Sequence, residues 1–126
     1  MTNGKRNLKH KGMKNMTPRQ AKVANQVQHI CALALVQGRI PSTLPLARLT
    51  ITDGWVSPDL RIARLYLQVP AEHNNPEFFA EANAQLGKGL RKALAEGLAT
   101  KYTPNVTLFP AEDEKSYPAP QKDLMK

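Results

Sequence analysis

Two short segments near the middle of the chain alternate apolar and polar residues with a period of two, a pattern that suits a half-buried β-strand and little else. In the first, Leu49 and Ile51 alternate with Thr50 and Thr52; in the second, Ala63, Leu65, Leu67 and Val69 alternate with Arg64, Tyr66 and Gln68. Successive side chains of a strand point to opposite faces, so each segment has one apolar face and one polar face. Asp53-Gly54 and Ser57-Pro58-Asp59 supply turn chemistry between them. Gly tolerates positive φ, Pro fixes φ, and Asp bonds amides downstream of itself. The pair predicts neighbouring antiparallel strands in a sheet that is wet on one side and must be covered on the other.

Helices flank these strands and supply the cover. Thr17-Pro18-Arg19-Gln20 is a helix start: Thr17 caps, Pro18 suits the first helical position, and Gln20 completes a capping box. Val23, Val27, Ile30 and Ala34, flanked by Ala24, Cys31 and Leu35, then form an apolar stripe at helical spacing, and Gly38 is the natural stop. Residues 39–46 hold Pro41 and Pro45 and connect to the first strand. After Pro70, Asn75-Pro76 opens a second helix whose buried face carries Phe79, Ala82 and Leu86. Gly87-Lys88-Gly89 interrupts that face, and two glycines at about 1 kcal/mol each predict a kink or break there. A further helical run follows, with Leu90, Ala93, Leu94, Gly97 and Leu98 inward and Arg91, Lys92 and Glu96 outward, ended by Thr103-Pro104. Val106-Thr107-Leu108-Phe109 reads as a third strand, stopped by Pro110. The expected class is α+β, with helices on one side of a three-stranded sheet.

Charge is distributed unevenly. The chain of 126 residues carries 18 Lys and Arg against 10 Asp and Glu, and no acid precedes Asp53. Charge kept for solubility alone is interspersed in sign, so this asymmetry points to a polyanionic partner. Residues 1–16 are polar and basic without periodicity and read as a flexible arm; residues 111–126, with Pro118 and Pro120, read as a flexible tail; residues 17–110 form the domain. The basic N-terminus is followed by no apolar stretch, so no secretory signal or membrane span is expected, and the single cysteine, Cys31, gives no disulfide framework. A cytoplasmic protein is the expectation.

The same residues resemble a known family. An amphipathic first helix through Lys22-Val23-Ala24-Asn25-Gln26-Val27, a segment running from Leu49-Thr50-Ile51-Thr52 through Val56-Ser57-Pro58-Asp59-Leu60 to Ala63-Arg64-Leu65-Tyr66, and Leu90-Arg91 followed by Tyr102-Thr103-Pro104 and Leu108-Phe109 together resemble the ribosome-binding factor A family. The resemblance implies a type II KH-like domain of order α-β-β-α-kink-α-β. It also implies a non-enzymatic assembly factor that binds the small (30S) ribosomal subunit and its rRNA in late maturation. Support of 5′-end processing of the rRNA precursor and importance at low temperature follow from the same likeness. Like that family, the chain has no Gly-x-x-Gly loop; the kink position is held by Gly87 and Gly89.

The residues expected at an RNA interface are Lys5, Arg6, Lys9, Lys11 and Lys14 of the arm, Arg19 and Lys22 of the first helix, Trp55, Lys88, Arg91, Lys92 and Lys101. Folded RNA displays phosphates and 2′-hydroxyls more readily than base edges, so charge and shape can suffice. Lys88, Arg91 and Lys92 would stand where the last helix begins, its free amides adding to their attraction for phosphate. A platform of stacked aromatics is not expected, because no one strand carries paired rings; Phe79 reads as core, and Trp55 and Tyr66 as the rings most open to contact. Ser57 and Asp59 lack a neighbouring histidine and read as a turn. His29 and Cys31, two apart on a helix, cannot share a metal, and His10 and His73 have no spaced partner. No catalytic residue, metal or cofactor is expected, and the free protein is expected to be a monomer. Two other classes fit the composition: a general KH-like RNA-binding protein without a ribosomal role, and a protein-interaction adaptor.

Overall fold

The computed structural model describes residues 16–111. Helix α1, Pro18–Val36, begins with the capping box its sequence predicts. The Thr17 hydroxyl accepts from the Gln20 N–H at 3.1 Å, and Gln20 Oε1 accepts from the Thr17 N–H at 2.9 Å. The other end of that amide reaches across the fold, Gln20 Nε2 donating to the Val56 carbonyl at 2.9 Å, which explains why a glutamine can be only 3% exposed. At the C-terminus Gly38 takes φ +67, its N–H bonds Leu35 O, and the Arg39 N–H bonds Ala34 O. These two bonds are a Schellman closure, and only a left-handed residue makes it.

Strands β1, Thr50–Val56, and β2, Ile62–Gln68, pair antiparallel, and β3, Asn105–Pro110, pairs parallel to β2, giving the order β1-β2-β3. The parallel step needs a crossover, which helix α2, Pro76–Gly97, provides. Both helices lie on the face lined by Val56, Ala63, Leu65, Leu67 and Leu108, and that layer is the core.

Three expectations are corrected. Asp53-Gly54 is not a turn: β1 runs through it to Val56, with a bulge between Ile51 and Asp53. The extra residue restores the alternation, so Gly54 and Val56 face inward with Ile51. Gly54 is there for close packing, since a Cβ would stand 3.3 Å from Leu65 Cδ2 and 3.5 Å from the Ala24 carbonyl of α1. The turn is carried by Ser57-Pro58-Asp59 alone, as far as Leu60, which is left-handed at φ +62 with its side chain buried.

Second, Gly87-Lys88-Gly89 does not break the helix, and the expected pair of helices is one element of 22 residues. Its buried positions, Phe79, Ala82, Leu86, Leu90, Ala93 and Leu94, stay in phase across the glycines. Burying each leucine contributes about 1.5–3 kcal/mol, against about 1 kcal/mol lost per glycine, so packing wins. Third, α2 ends at Gly97 rather than at Thr103-Pro104. Leu98 is already extended, at φ −107 and ψ 128, and buries its side chain.

The outer edge of β3 is closed by a side chain. Asn83 of α2 accepts from the Leu108 N–H at 2.8 Å and donates to the Leu108 carbonyl at 3.1 Å and to its own helix at Phe79 O, 3.0 Å. One amide thus stands in for a neighbouring strand at that residue and blunts an edge that would otherwise template pairing. The expected arm and tail lie outside the described residues, apart from Met16, which packs partly buried against the core, and Ala111.

Candidate nucleic-acid interface

Lys88, Arg91 and Lys92 occupy one side of α2, at spacings of three and four residues that make helix positions neighbours. All three are exposed. Among the described residues the ion pairs are Arg39–Glu96 at 2.8 Å and Arg48–Glu72 at 3.2 Å, so none of the three is neutralised by a neighbour. The charge expected there is present, but the free amides are not: because α2 is continuous, the N–H groups near Leu90 belong to the helix ladder. Attraction for an anion at this point comes from the side chains alone.

Beside them the loop after α1 folds onto α2. Ile40, 5% exposed, packs against Gly89, where a Cβ would stand 2.7 Å from Ile40 Cγ2 and 2.8 Å from Cγ1. Gly89 is thereby explained by internal packing. Gly87 is different, since a Cβ there would meet nothing within 4 Å. The loop and helix enclose an open groove of about 440 Å³, lined in part by Arg39, Ile40, Gly89, Lys92 and Glu96. Arg39 joins the α2 cations only through the tertiary fold. Its position 57 residues from Glu96 hid that contact from the sequence.

The remaining expected residues do not all gather here. Arg19 and Lys22 are exposed on the first turns of α1, and Lys101 is exposed in the loop before β3. Trp55 projects from β1 on the sheet face opposite the helices, so it cannot share a contact with the α2 cations. Lys5, Arg6, Lys9, Lys11 and Lys14 lie outside the described residues.

The outer sheet face corrects one expectation about aromatics, that Tyr66 is open to contact. Although no strand carries paired rings, the register sets Trp55 opposite Arg64 and Thr107, and Asp53 opposite Tyr66 and Phe109. The Arg64 guanidinium lies 5.6 Å from the Trp55 ring and 5.3 Å from the Phe109 ring, within cation–π range of both. Tyr66, expected to be open, is 2% exposed, its ring 5.8 Å from that of Phe109. At the end of the same sheet, Arg61 stacks over Tyr102 at 4.0 Å, and the Lys101 ammonium is 5.4 Å from that ring. Arg64 and Phe109 are residues that sequence reasoning missed, because only strand register gathers them with Trp55, and Arg61 is a third, which meets Tyr102. The available signal was the polar phase of β2, in which Arg64 alternates with Ala63 and Leu65.

Groups that would suggest catalysis have structural partners. The Ser57 hydroxyl donates to Asp59 Oδ1 at 2.6 Å and accepts from the Ile62 N–H at 3.0 Å, while the same carboxylate accepts from the Arg61 N–H at 3.1 Å. The Ser57 hydroxyl first, and then the Arg61 amide, hold the Asp59 carboxyl below its ordinary range. Cys31 is fully buried, and desolvation pushes its thiol up to about 12. Among the described residues no group of three or more His, Cys, Asp or Glu could hold a metal, and no helix is long and apolar enough to cross a membrane.

Comparison with known proteins gives these features a context. No family model matches the chain. It is 31% identical over 102 residues to ribosome-binding factor A of Brucella ovis and, equally, of Brucella melitensis biotype 2, a match covering 79% of this chain and 67% of each relative. The crystal structure of ribosome-binding factor A from Thermus thermophilus superposes with a TM-score of 0.60 at 19% identity, covering 74% of this chain and 97% of that one. A homology model of the Thermus thermophilus ribosome binding factor A, fitted into the cryo-EM map of its complex with 30S, superposes with a TM-score of 0.54 at 16% identity, covering 79% of this chain and 97% of that one. The arrangement of two helices on a three-stranded sheet matches these structures and is KH-like.

Proposed function

Because this chain belongs to the ribosome-binding factor A family, we propose that it is a ribosome assembly factor that binds the small ribosomal subunit and its rRNA during late maturation. On this reading it works in the cytoplasm by binding alone, as a monomer without metal or cofactor; it supports 5′-end processing of the rRNA precursor and is important at low temperature. The observation that carries the reading is the α2 surface: Lys88, Arg91 and Lys92 are exposed and, among the described residues, free of acidic partners, beside a groove that Arg39 enters from the preceding loop. Gly87 adds a place where nothing projects, so that a phosphate backbone can approach the helix closely. The flanking cations Arg19 and Lys22, together with Lys5, Arg6, Lys9, Lys11 and Lys14, enlarge the electrostatic footprint. The Thermus thermophilus relative has been fitted into a 30S complex, which is the partner this chemistry suits.

Sedimentation with purified ribosomal particles tests the reading. The protein is expected to pellet with small subunits and not with large subunits or assembled ribosomes. An even spread over all RNA-containing particles would instead support a general RNA-binding protein. If replacing Lys88, Arg91 and Lys92 together with Ala left RNA affinity unchanged in a folded protein, an adaptor role would be favoured.

A further inference from the structure

The sheet face opposite the helices is a second, separately built surface. It carries Trp55, Arg64 and Phe109, from β1, β2 and β3 in turn. We propose that this face binds unstacked bases of single-stranded RNA, stacking them on the Trp55–Arg64–Phe109 cluster while the open edge of the Arg64 guanidinium meets a phosphate. The proposal rests on the reading that the partner is rRNA, and it deepens that reading by giving the protein two RNA-binding sides.

Three observations carry it. The first is the state of Arg64: its guanidinium sits between two rings, and no acceptor for its side-chain N–H groups is found among the described residues. A guanidinium carries five donors in a fixed plane, and ring contacts to its face leave the edge open to a phosphate or a base oxygen. Second, Trp55, Arg64 and Phe109 come from β1, β2 and β3 in turn, so a guanidinium flanked by rings lies across the sheet. Rings beside a cation combine the stacking surface and the positive charge that single-stranded nucleic acid requires. Third, the nearby acids are engaged: Asp59 by the Ser57 hydroxyl and the Arg61 amide, and Asp53 by the Gly54 N–H at 2.8 Å. Among the described residues Arg64 is therefore paired with neither carboxylate, and its charge remains for an incoming anion. Because the sheet separates this cluster from α2, one RNA segment can lie on the helix side while another strand is held on the far side.

Trp55 is the only tryptophan of the chain, so its fluorescence reports this face and no other. Titrating the full-length protein with a single-stranded oligouridylate should quench Trp55 emission saturably, whereas a duplex RNA of equal length should not. Arg64→Ala should weaken the oligouridylate affinity roughly 5- to 100-fold, the range expected for loss of one stacking contact, with the far-ultraviolet spectrum unchanged. Arg64→Lys, which keeps the charge but loses the plane, should fall between. Lys88→Ala/Arg91→Ala/Lys92→Ala should retain the quenching and weaken small-subunit binding. Absence of quenching in the wild type, or quenching indifferent to Arg64→Ala, would overturn the proposal even if small-subunit binding persists. Quenching without small-subunit binding in the wild type would leave this face intact and sink the assembly reading instead. If quenching appeared only after Glu112, Asp113 and Glu114 were all replaced by Ala, the chain's own acidic stretch would be the occupant, and the proposal would likewise fail.

Discussion

The two glycines of α2 should respond oppositely to the same change. In a helix interior Ala is favoured over Gly by about 0.8–1 kcal/mol, chiefly because Gly loses more backbone entropy on folding. At Gly87 a Cβ meets nothing within 4 Å, so Gly87→Ala should realise that gain in full. For a domain of this size 1 kcal/mol corresponds to a rise in Tm of about 4–8 °C. At Gly89 the new Cβ would stand 2.7 Å from Ile40 Cγ2 and 2.8 Å from Cγ1. Both atoms are bonded to Cβ of a β-branched residue, so they cannot swing aside without a change of χ1 or of the loop backbone. Overpacking of this kind costs about 1–3 kcal/mol, which cancels or exceeds the propensity gain, and Gly89→Ala should leave stability unchanged or reduce it by up to about 2 kcal/mol. Urea and thermal unfolding of the two variants beside the wild type measure both signs. Equal stabilisation by both would show that the Ile40 contact constrains nothing. Small-subunit affinity then separates stability from function. If Gly87 is kept bare for RNA, Gly87→Ala should bind more weakly although it is more stable.

Other parts of the fold make sharper statements about stability. Asn83→Ala leaves the Leu108 N–H and carbonyl without their side-chain partner, and should cost about 1–3 kcal/mol in urea unfolding; an indistinguishable midpoint would mean that the latch is not needed. Asp59 is held below its ordinary value of 3.8, so its turn contributes stability above that pH and loses it as pH falls through the lower, folded value. Ser57→Ala should therefore flatten the acid side of the pH–stability curve, and identical curves would remove the Ser57 hydroxyl as the cause. Cys31, with its thiol pushed up to about 12, should resist iodoacetamide at pH 8 in the native protein and react once unfolded.

Much of the architecture was legible because it rests on local chemistry. The capping box at Thr17 and Gln20, the left-handed stop at Gly38, the polar–apolar phase of β2 and the Ser57-Pro58-Asp59 turn each have a mechanism confined to a few residues. Where the sequence misled, a tertiary contact overrode a local preference. Gly54 looked like a turn residue, yet its missing side chain admits α1; Gly89 looked like a helix breaker, yet its missing side chain admits Ile40. Both signals marked close approach, and nothing local distinguishes that from conformational need. The candidate site divided in the same way. Lys88, Arg91 and Lys92 share a face by helical spacing alone, whereas Arg39 reached them through loop docking and Arg64 reached Trp55 and Phe109 through strand register.

The claim that cations on α2 hold ribosomal RNA is tested most directly by salt. Neutralising phosphates releases counterions, so log affinity for small subunits should fall linearly with log salt, by roughly 0.7–0.9 per contact. Measured over a potassium chloride series, Lys88→Ala/Arg91→Ala/Lys92→Ala should give a slope shallower than that of the wild type by roughly 2 to 3, with the fold unchanged. Superimposable lines for the two proteins would contradict the account.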